Sequence, residues 1–156
     1  MNIFVTDPCP KKSAEYLDTK RVNKMILESA QLLSTALREH GYIGNDIYKS
    51  THKNHPSNVW TRKSRENYKW LLKHFEALAL EYYKRRKVMH KSYTKLNSIL
   101  RKNINYIPNG ELTSFANCAA RADLNISYKH LDDVYLAYQL YLNDRWELDI
   151  KKPTWD

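Results

Sequence analysis

A chain of 156 residues has the size of one domain with its own core and leaves little room for a second. An apolar share of 42% with 12% aromatics excludes a disordered chain, while a mean hydropathy of −0.72 puts much polar surface around that core. The 26 Lys and Arg outnumber 17 Asp and Glu, a formal charge of +9 that favours a polyanionic partner, nucleic acid ahead of a membrane surface.

In chain order, "NIFVT" is a short β-prone run, either one strand or an extended arm, closed by the two prolines of "DPCP". Ser13 is a good N-cap, and the pattern after it predicts one helix running to Glu39 or His40, where Gly41 ends it. "GYIGNDIYKSTHKNHPS" holds two of the three glycines and no sustained period, which predicts a long loop. From Ser57 to Lys87 a second helical pattern carries Tyr68, Leu71, Leu72, Phe75, Leu78, Ala79 and Tyr82 on one face, the expected spine of the fold. After a break near Met89 to Lys91, "SYTKLNSILRK" predicts a shorter helix, "NINYIPNGE" a turn, and "LTSFANCAARADLN" at most one short helix. "YKHLDDVYLAYQLYLNDRW" is helical, with Leu131, Val134, Tyr135, Tyr138, Tyr141 and Leu142 spaced for burial, and the tail "ELDIKKPTWD" is irregular and ends on an exposed Trp155. The fold class expected is all-α, a compact single-domain helical bundle over residues 1–156 with a short extended N-terminal segment.

No stretch approaches the roughly 20 apolar residues of a spanning helix, and "MNIFVTDPCPKK" lacks the basic leader and apolar run of a signal peptide. A soluble, cytoplasmic protein without membrane contact is expected. Cys9 and Cys118 are the only cysteines and form no CxxC pair, so reduced thiols are expected and no structural zinc. GxGxxG, GxxxxGK[ST] and GxSxG are all absent, which disfavours nucleotide-triphosphate chemistry. No cofactor is expected.

Three constellations carry chemistry. At about 100° per residue, Val22, Met25, Ile26, Ser29, Leu32, Leu33, Ala36 and Leu37 fill one arc of the first helix, and Arg21, Lys24, Glu28, Gln31 and Thr35 form a polar row beside it. Such charges also arise simply because pairs three and four apart keep a helix soluble. At the border of a core face, however, the row reads as a cleft wall, with Glu28 as general base or stabiliser of a developing cation and Arg21, Lys24 and Gln31 beside it to bind phosphate or substrate. "YKSTHKNHPSNVWTR" gathers His52, His55, Asn58, Trp60 and Arg62 at a loop-to-helix junction, suited either to capping or to a phosphate site with Trp60 stacking on a base. His52 and His55 have a metal-like spacing but no third ligand nearby, so no metal is expected. "EYYKRRKVMHKSYTK" interleaves cations, including Lys91, with His90 and tyrosines, the composition of a phosphate-backbone contact or of a solvated helix end.

The "MNIF" start, the helix "KRVNKMILESAQLLSTAL", the junction "THKNHPSNVW" and the closing "PTW" together resemble a group of small phage and bacterial proteins related to the pyrimidine-dimer DNA glycosylase/AP lyase family. The resemblance to that wider group covers most of the chain, and to the founding phage enzyme it is remote. It implies a compact helical domain that binds UV-damaged DNA, in which an N-terminal α-amine attacks the sugar C1′ while a glutamate on the first long helix assists. Glu28 falls where that glutamate stands, and Arg21 two turns earlier falls where the family has a histidine. Pro153, Thr154 and Trp155 match a C-terminal Pro-Thr-Trp adjoining residues that approach the lesion. The family's amine belongs to a threonine exposed by methionine removal. Here residue two is Asn2, whose bulk hinders that removal, so the amine is that of Met1. Leu27 and Gln31 stand where the family carries arginines. An α-amine titrates near 8, about two units below an ordinary lysine, and so supplies more free base at neutral pH for a Schiff base.

The function expected is a DNA glycosylase, with or without AP-lyase activity, acting on a damaged or modified base such as a pyrimidine dimer. Alternatives are an N-glycosidic hydrolase acting on a free nucleotide or nucleotide-derived modification, a non-catalytic nucleic-acid-binding accessory protein, or a factor that binds an acidic host protein.

Overall fold

In the computed structural model, which describes all of residues 1–156, the N-terminal segment is an extended arm that pairs with no strand. Ile3, Phe4, Val5 and Thr6 are nonetheless buried. Phe4 takes a left-handed backbone (φ 56°), and its ring lies between Tyr138 (6.0 Å, edge-on) and Tyr141 (5.9 Å, stacked).

Pro10 opens α1 (Pro10–Tyr16), where a missing N–H costs nothing. The single helix expected from Ser13 is in fact two. Leu17 and Asp18 are both extended, and α2 (Thr19–Glu39) begins after them. Ser13 is not a cap: it lies buried within α1, where its hydroxyl donates to the Phe4 carbonyl (3.2 Å) and accepts from the Thr6 N–H (3.1 Å). The predicted core arc of α2 is buried throughout. The helix closes at His40, and Gly41, with φ 99°, supplies the left-handed turn.

The loop from Gly41 to Asn54 is tied to α2 by Arg38, which donates to the carbonyls of Tyr48 (2.6 Å), Gly44 (2.9 Å) and Ile47 (3.0 Å). The second predicted helix is also divided, into α3 (Pro56–Lys63) and α4 (Arg65–Arg86). At the break Ser64 is extended, and its hydroxyl accepts from the Asn67 N–H and donates to the Glu111 carbonyl (2.8 Å). Asn67 bridges the Trp60 carbonyl and Thr113. Buried polar side chains that satisfy a returning segment of irregular chain thus interrupt an otherwise continuous helical period. Helix α4 packs on α1, α2, α3 and α5 (Lys91–Lys102), through buried Tyr68, Leu71, Phe75 and Leu78.

Beyond α5 the chain is not purely helical. A 3₁₀ turn (Ile104–Tyr106) leads into extended chain, then a small antiparallel hairpin of β1 (Ala120–Arg121) and β2 (Ile126–Ser127), where one short helix at most was expected. The fold is therefore mostly α, with a two-stranded sheet added. Helix α6 (Val134–Leu148) starts only after Asp133, whose carboxylate accepts from the Leu136 N–H (3.1 Å). Tyr138, Tyr141 and Leu142 are buried as expected, while Leu131, Val134 and Tyr135 are half-buried. The tail crosses back over α1 and α2: the Thr19 N–H donates to the Thr154 carbonyl (2.7 Å) and the Trp155 indole to the Tyr16 carbonyl (2.9 Å). No helix is long and apolar enough to cross a membrane. One core of 30 buried hydrophobic residues draws on all six helices.

Two buried polar groups make this fold testable. Arg21, only 4% exposed, pairs with Asp18 (3.2 Å) and Asp149 (2.9 Å), so a cation expected at a cleft wall instead joins the start of α2 to the end of α6. Arg21→Met leaves the buried Asp18 without its cation and is expected to cost roughly 2–4 kcal/mol in chemical denaturation, whereas Lys24→Gln, which removes an exposed ammonium from half-buried Glu28, costs under about 1. His74 is fully buried with Nδ1 donating to the Pro10 carbonyl (3.0 Å), and burial pushes its pKa down from 6.5 to about 4. The unfolded chain takes up this proton first, so the stability the neutral ring confers is intact above 6.5 and is lost as pH falls toward 4. Denaturation titrations across that interval should show a loss approaching about 3 kcal/mol from this group, and a shallower pH slope in His74→Phe.

Candidate active site

Glu28 projects from the middle of α2, at the edge of its buried face, and is held at both oxygens by cations. The Met1 α-amino nitrogen lies 3.6 Å from Oε1, and Lys24 Nζ, one turn earlier, lies 3.7 Å from Oε2. The two cations differ in setting. The Lys24 side chain is 70% exposed, whereas that of Met1 is 4% exposed, packed against the core. Glu28 Oε2 is itself buried and makes no hydrogen bond.

The amine is placed by the residue after it. Asn2 Oδ1 accepts from the Tyr138 hydroxyl (2.6 Å) and from the Ile3 N–H (2.9 Å), while Nδ2 donates to the Cys118 carbonyl (3.2 Å). The Tyr138 hydroxyl in turn accepts from the Cys118 N–H (3.0 Å). Burial raises the Tyr138 phenol far above its ordinary range, so it stays a neutral donor.

These groups line a cleft of about 270 Å³. Lys24 and Glu28 line it from α2, and Met1, Asn2 and Phe4 from the arm. His55 enters from the start of α3, where its Nδ1 accepts from the Ser57 N–H (3.1 Å), leaving the ring proton on Nε2. Burial, then the Met1 amine and His52, lower the His55 pKa against the opposing pull of Glu28, so this imidazole is neutral at pH 7. The rest of the lining comes from Cys118, Ala120 and Arg121 in and before the hairpin and from Tyr141 and Arg145 of α6.

Of the residues expected at a site, the structure brings together Met1, Lys24, Glu28 and His55. Arg21 faces away into its two carboxylates. Gln31 is half-buried one turn beyond Glu28 and does not line the cleft. His52 is exposed, with a left-handed backbone (φ 49°) and Nδ1 bonded to Thr51 Oγ1 (2.8 Å). Asn58 is fully buried and donates to the carbonyls of Thr51 and His52, a loop brace. Trp60, expected to offer a stacking face, lies in the core against Phe115 (4.8 Å, stacked), and Arg62 donates to the Lys53 carbonyl (2.6 Å). His90 caps α5 with Nδ1 accepting from the Ser92 N–H, Lys91 beside it is exposed, and Trp155 packs edge-on against Trp146 (5.0 Å). These last three lie outside the cleft.

Asn2, Phe4, Cys118, Ala120, Arg121, Tyr141 and Arg145 were not foreseen. Tyr141 carries the spacing of a core residue, and Arg121 falls in a segment without period. Only the excess of basic residues hinted that further cations belong to a site.

No curated protein and no solved structure matches the chain. A family model described as pyrimidine dimer DNA glycosylase matches residues 1–95, which include the arm, α1 to α4 and all four expected residues that meet in the cleft. With more than half of its length matched, the chain belongs to the pyrimidine dimer DNA glycosylase family.

Proposed function

We propose that the protein is a DNA glycosylase that cleaves the N-glycosidic bond of a damaged or modified base, with pyrimidine dimers as the first substrate to test, and that the resulting imine supports an AP-lyase step. The observation that carries this reading is the Met1 nitrogen 3.6 Å from a carboxylate inside a cleft.

The free amine attacks C1′: a C1′–N bond forms as the bond to the base breaks, and its electron pair leaves with the base, which takes a proton. The new ammonium gives a proton to Glu28, the C1′–O4′ bond opens with protonation of O4′, and an iminium links Met1 to C1′. Water hydrolyses it to an abasic site. Alternatively, loss of a C2′ proton to Glu28 forms a C2′–C3′ double bond and expels the 3′ phosphate with the C3′–O electrons. Glu28 also faces the positive charge that develops on the sugar. Lys24 and His55 flank the reacting centre. Lys91 and the exposed cations at the end of α4 are assigned to the outer surface of the duplex, since Arg85 ties that end to Leu17 and Thr19 beside the start of α2.

Incubation with duplexes bearing a thymine dimer or a plain abasic site, with borohydride present, should give a covalent adduct that is lost when the Met1 nitrogen is placed in a peptide bond by an N-terminal Gly-Ser extension. Glu28→Gln should lower turnover by about 100-fold or more while changing the duplex Kd by less than about threefold. Absence of both adduct and strand cleavage on either substrate overturns the amine mechanism.

A further inference from the structure

His55 is fixed at every polar group but one. Its N–H donates to the His52 carbonyl (2.9 Å), and its carbonyl accepts from the N–H groups of Asn58 (2.9 Å) and Val59 (3.0 Å). Pro56 keeps its backbone extended (φ −65°, ψ 139°). Nδ1 accepts from the Ser57 N–H (3.1 Å), which turns the opposite edge of the ring away from α3 and sets the only ring proton on Nε2. Nε2 bonds to nothing in the chain, yet it is not stranded in the core, because the residue is half-buried and lines the catalytic cleft.

The ring also feels the reacting groups. Burial lowers its pKa most, the Met1 ammonium and His52 lower it further, and Glu28 raises it, so the imidazole lies in the field of both the attacking nitrogen and its carboxylate. Other groups around it are already engaged: Glu28 holds Met1 and Lys24, Arg121 pairs with Asp123, and Asn2 Nδ2 donates to the Cys118 carbonyl. A neutral imidazole keeps its proton too strongly to hand it over. It acts instead as a fixed hydrogen-bond donor toward an atom that gains negative charge.

Departure of the base creates such an atom. In a pyrimidine dimer C5 and C6 are saturated, so the electron pair left on N1 spreads only through C2 onto O2, the carbonyl oxygen nearest the glycosidic bond. Resting on the glycosylase reading, we infer that His55 Nε2–H donates to O2 of the departing pyrimidine, a substrate contact made in the glycosylic step and absent from the lyase step. The N1–C1′ bond breaks as the Met1 nitrogen bonds to C1′, and its electron pair goes to N1 and O2. His55 keeps its proton throughout, and water then protonates N1 and leaves hydroxide to the solvent.

Two substitutions separate the cap from the donor. Asn accepts from the Ser57 N–H as a good N-cap but ends short of Nε2, whereas Gln brings an amide N–H near the place of Nε2 and caps poorly. Borohydride-trapped adduct is followed in single turnovers on a thymine-dimer duplex, which must lose a base, and on a plain abasic duplex, which has none to lose. His55→Asn should melt with the wild type and slow the dimer reaction by about 100-fold or more, while the abasic reaction changes less than about threefold. His55→Gln should melt lower yet react with the dimer within about tenfold of the wild type. The donor is overturned, and the amine mechanism left standing, by an equal loss on both duplexes, by an unchanged dimer rate in folded His55→Asn, or by His55→Gln reacting more slowly with the dimer than His55→Asn. Wild-type adduct on the abasic duplex alone overturns it too, since no pyrimidine then departs. Absence of wild-type adduct on both duplexes is the failure of the glycosylase reading itself, and the donor falls with it.

Discussion

The constraint on which the site depends is the burial of an extended arm. Four consecutive residues, Ile3 to Thr6, lose water without joining a sheet, so their polar groups need partners from elsewhere. Ser13 serves Phe4 and Thr6, Gln139 donates to the Thr6 carbonyl (2.9 Å), and Asn2 is locked to Tyr138 and Cys118. The left-handed Phe4 is tolerable because two tyrosine rings fix its side chain. A terminal amine usually frays into solvent. This one has little freedom, since the residue that bears it is packed against the core and the next is hydrogen-bonded on both sides of its amide. The position of the amine thus follows from core packing as well as from its own ion pair with Glu28.

A second constraint closes the cleft. Arg21, Asp18, Asp149 and the Trp146 indole, which donates to Asp18 Oδ1 (2.8 Å), join the start of α2 to the end of α6. Buried charge of this kind adds little net stability relative to an apolar substitute, but it fixes which helix faces which. Without it, α6 would keep its ties to the arm and the hairpin region through Tyr138, Gln139 and Asp144, and its C-terminal end would lose the bond that fixes it to the start of α2.

The helical character of the chain, the core arc of α2, the long loop and the placement of Glu28 beside that arc were legible because each rests on periodicity or on a glycine stop. What stayed hidden has one physical origin: side chains that form bonds far along the chain look local in sequence. Ser13 reads as a helix cap and Ser64 as an ordinary helix residue, yet each satisfies a remote segment, Ser13 the arm from inside α1 and Ser64 the Glu111 carbonyl at the break between α3 and α4. Arg21 has the spacing of a cleft cation and is drawn instead to Asp149, 128 residues away. Trp60 reads as a stacking face for a base, and its contact with Phe115, a residue 55 positions further on, takes it into the core instead. The hairpin bearing Arg121 has strands of two residues, too short for any period to appear.

The cleft also divides between two stretches of chain. The amine, the carboxylate, Lys24 and His55 all fall within residues 1–95, where the family match lies, while later lining residues come from the hairpin region and α6. The groups nearest the amine are thus set by α2 and the arm, which share one core, and the later residues are joined to them by contacts that include Phe4 with Tyr141, Asn2 with Tyr138 and Cys118, Thr6 with Gln139, and Arg21 with Asp149. Substitutions among the later lining residues can therefore alter what enters the cleft while leaving the spacing of Met1 and Glu28 intact. The reverse does not hold, because any change that loosens the arm moves Phe4 and, with it, the aromatic support on which Tyr141 and Arg145 rest.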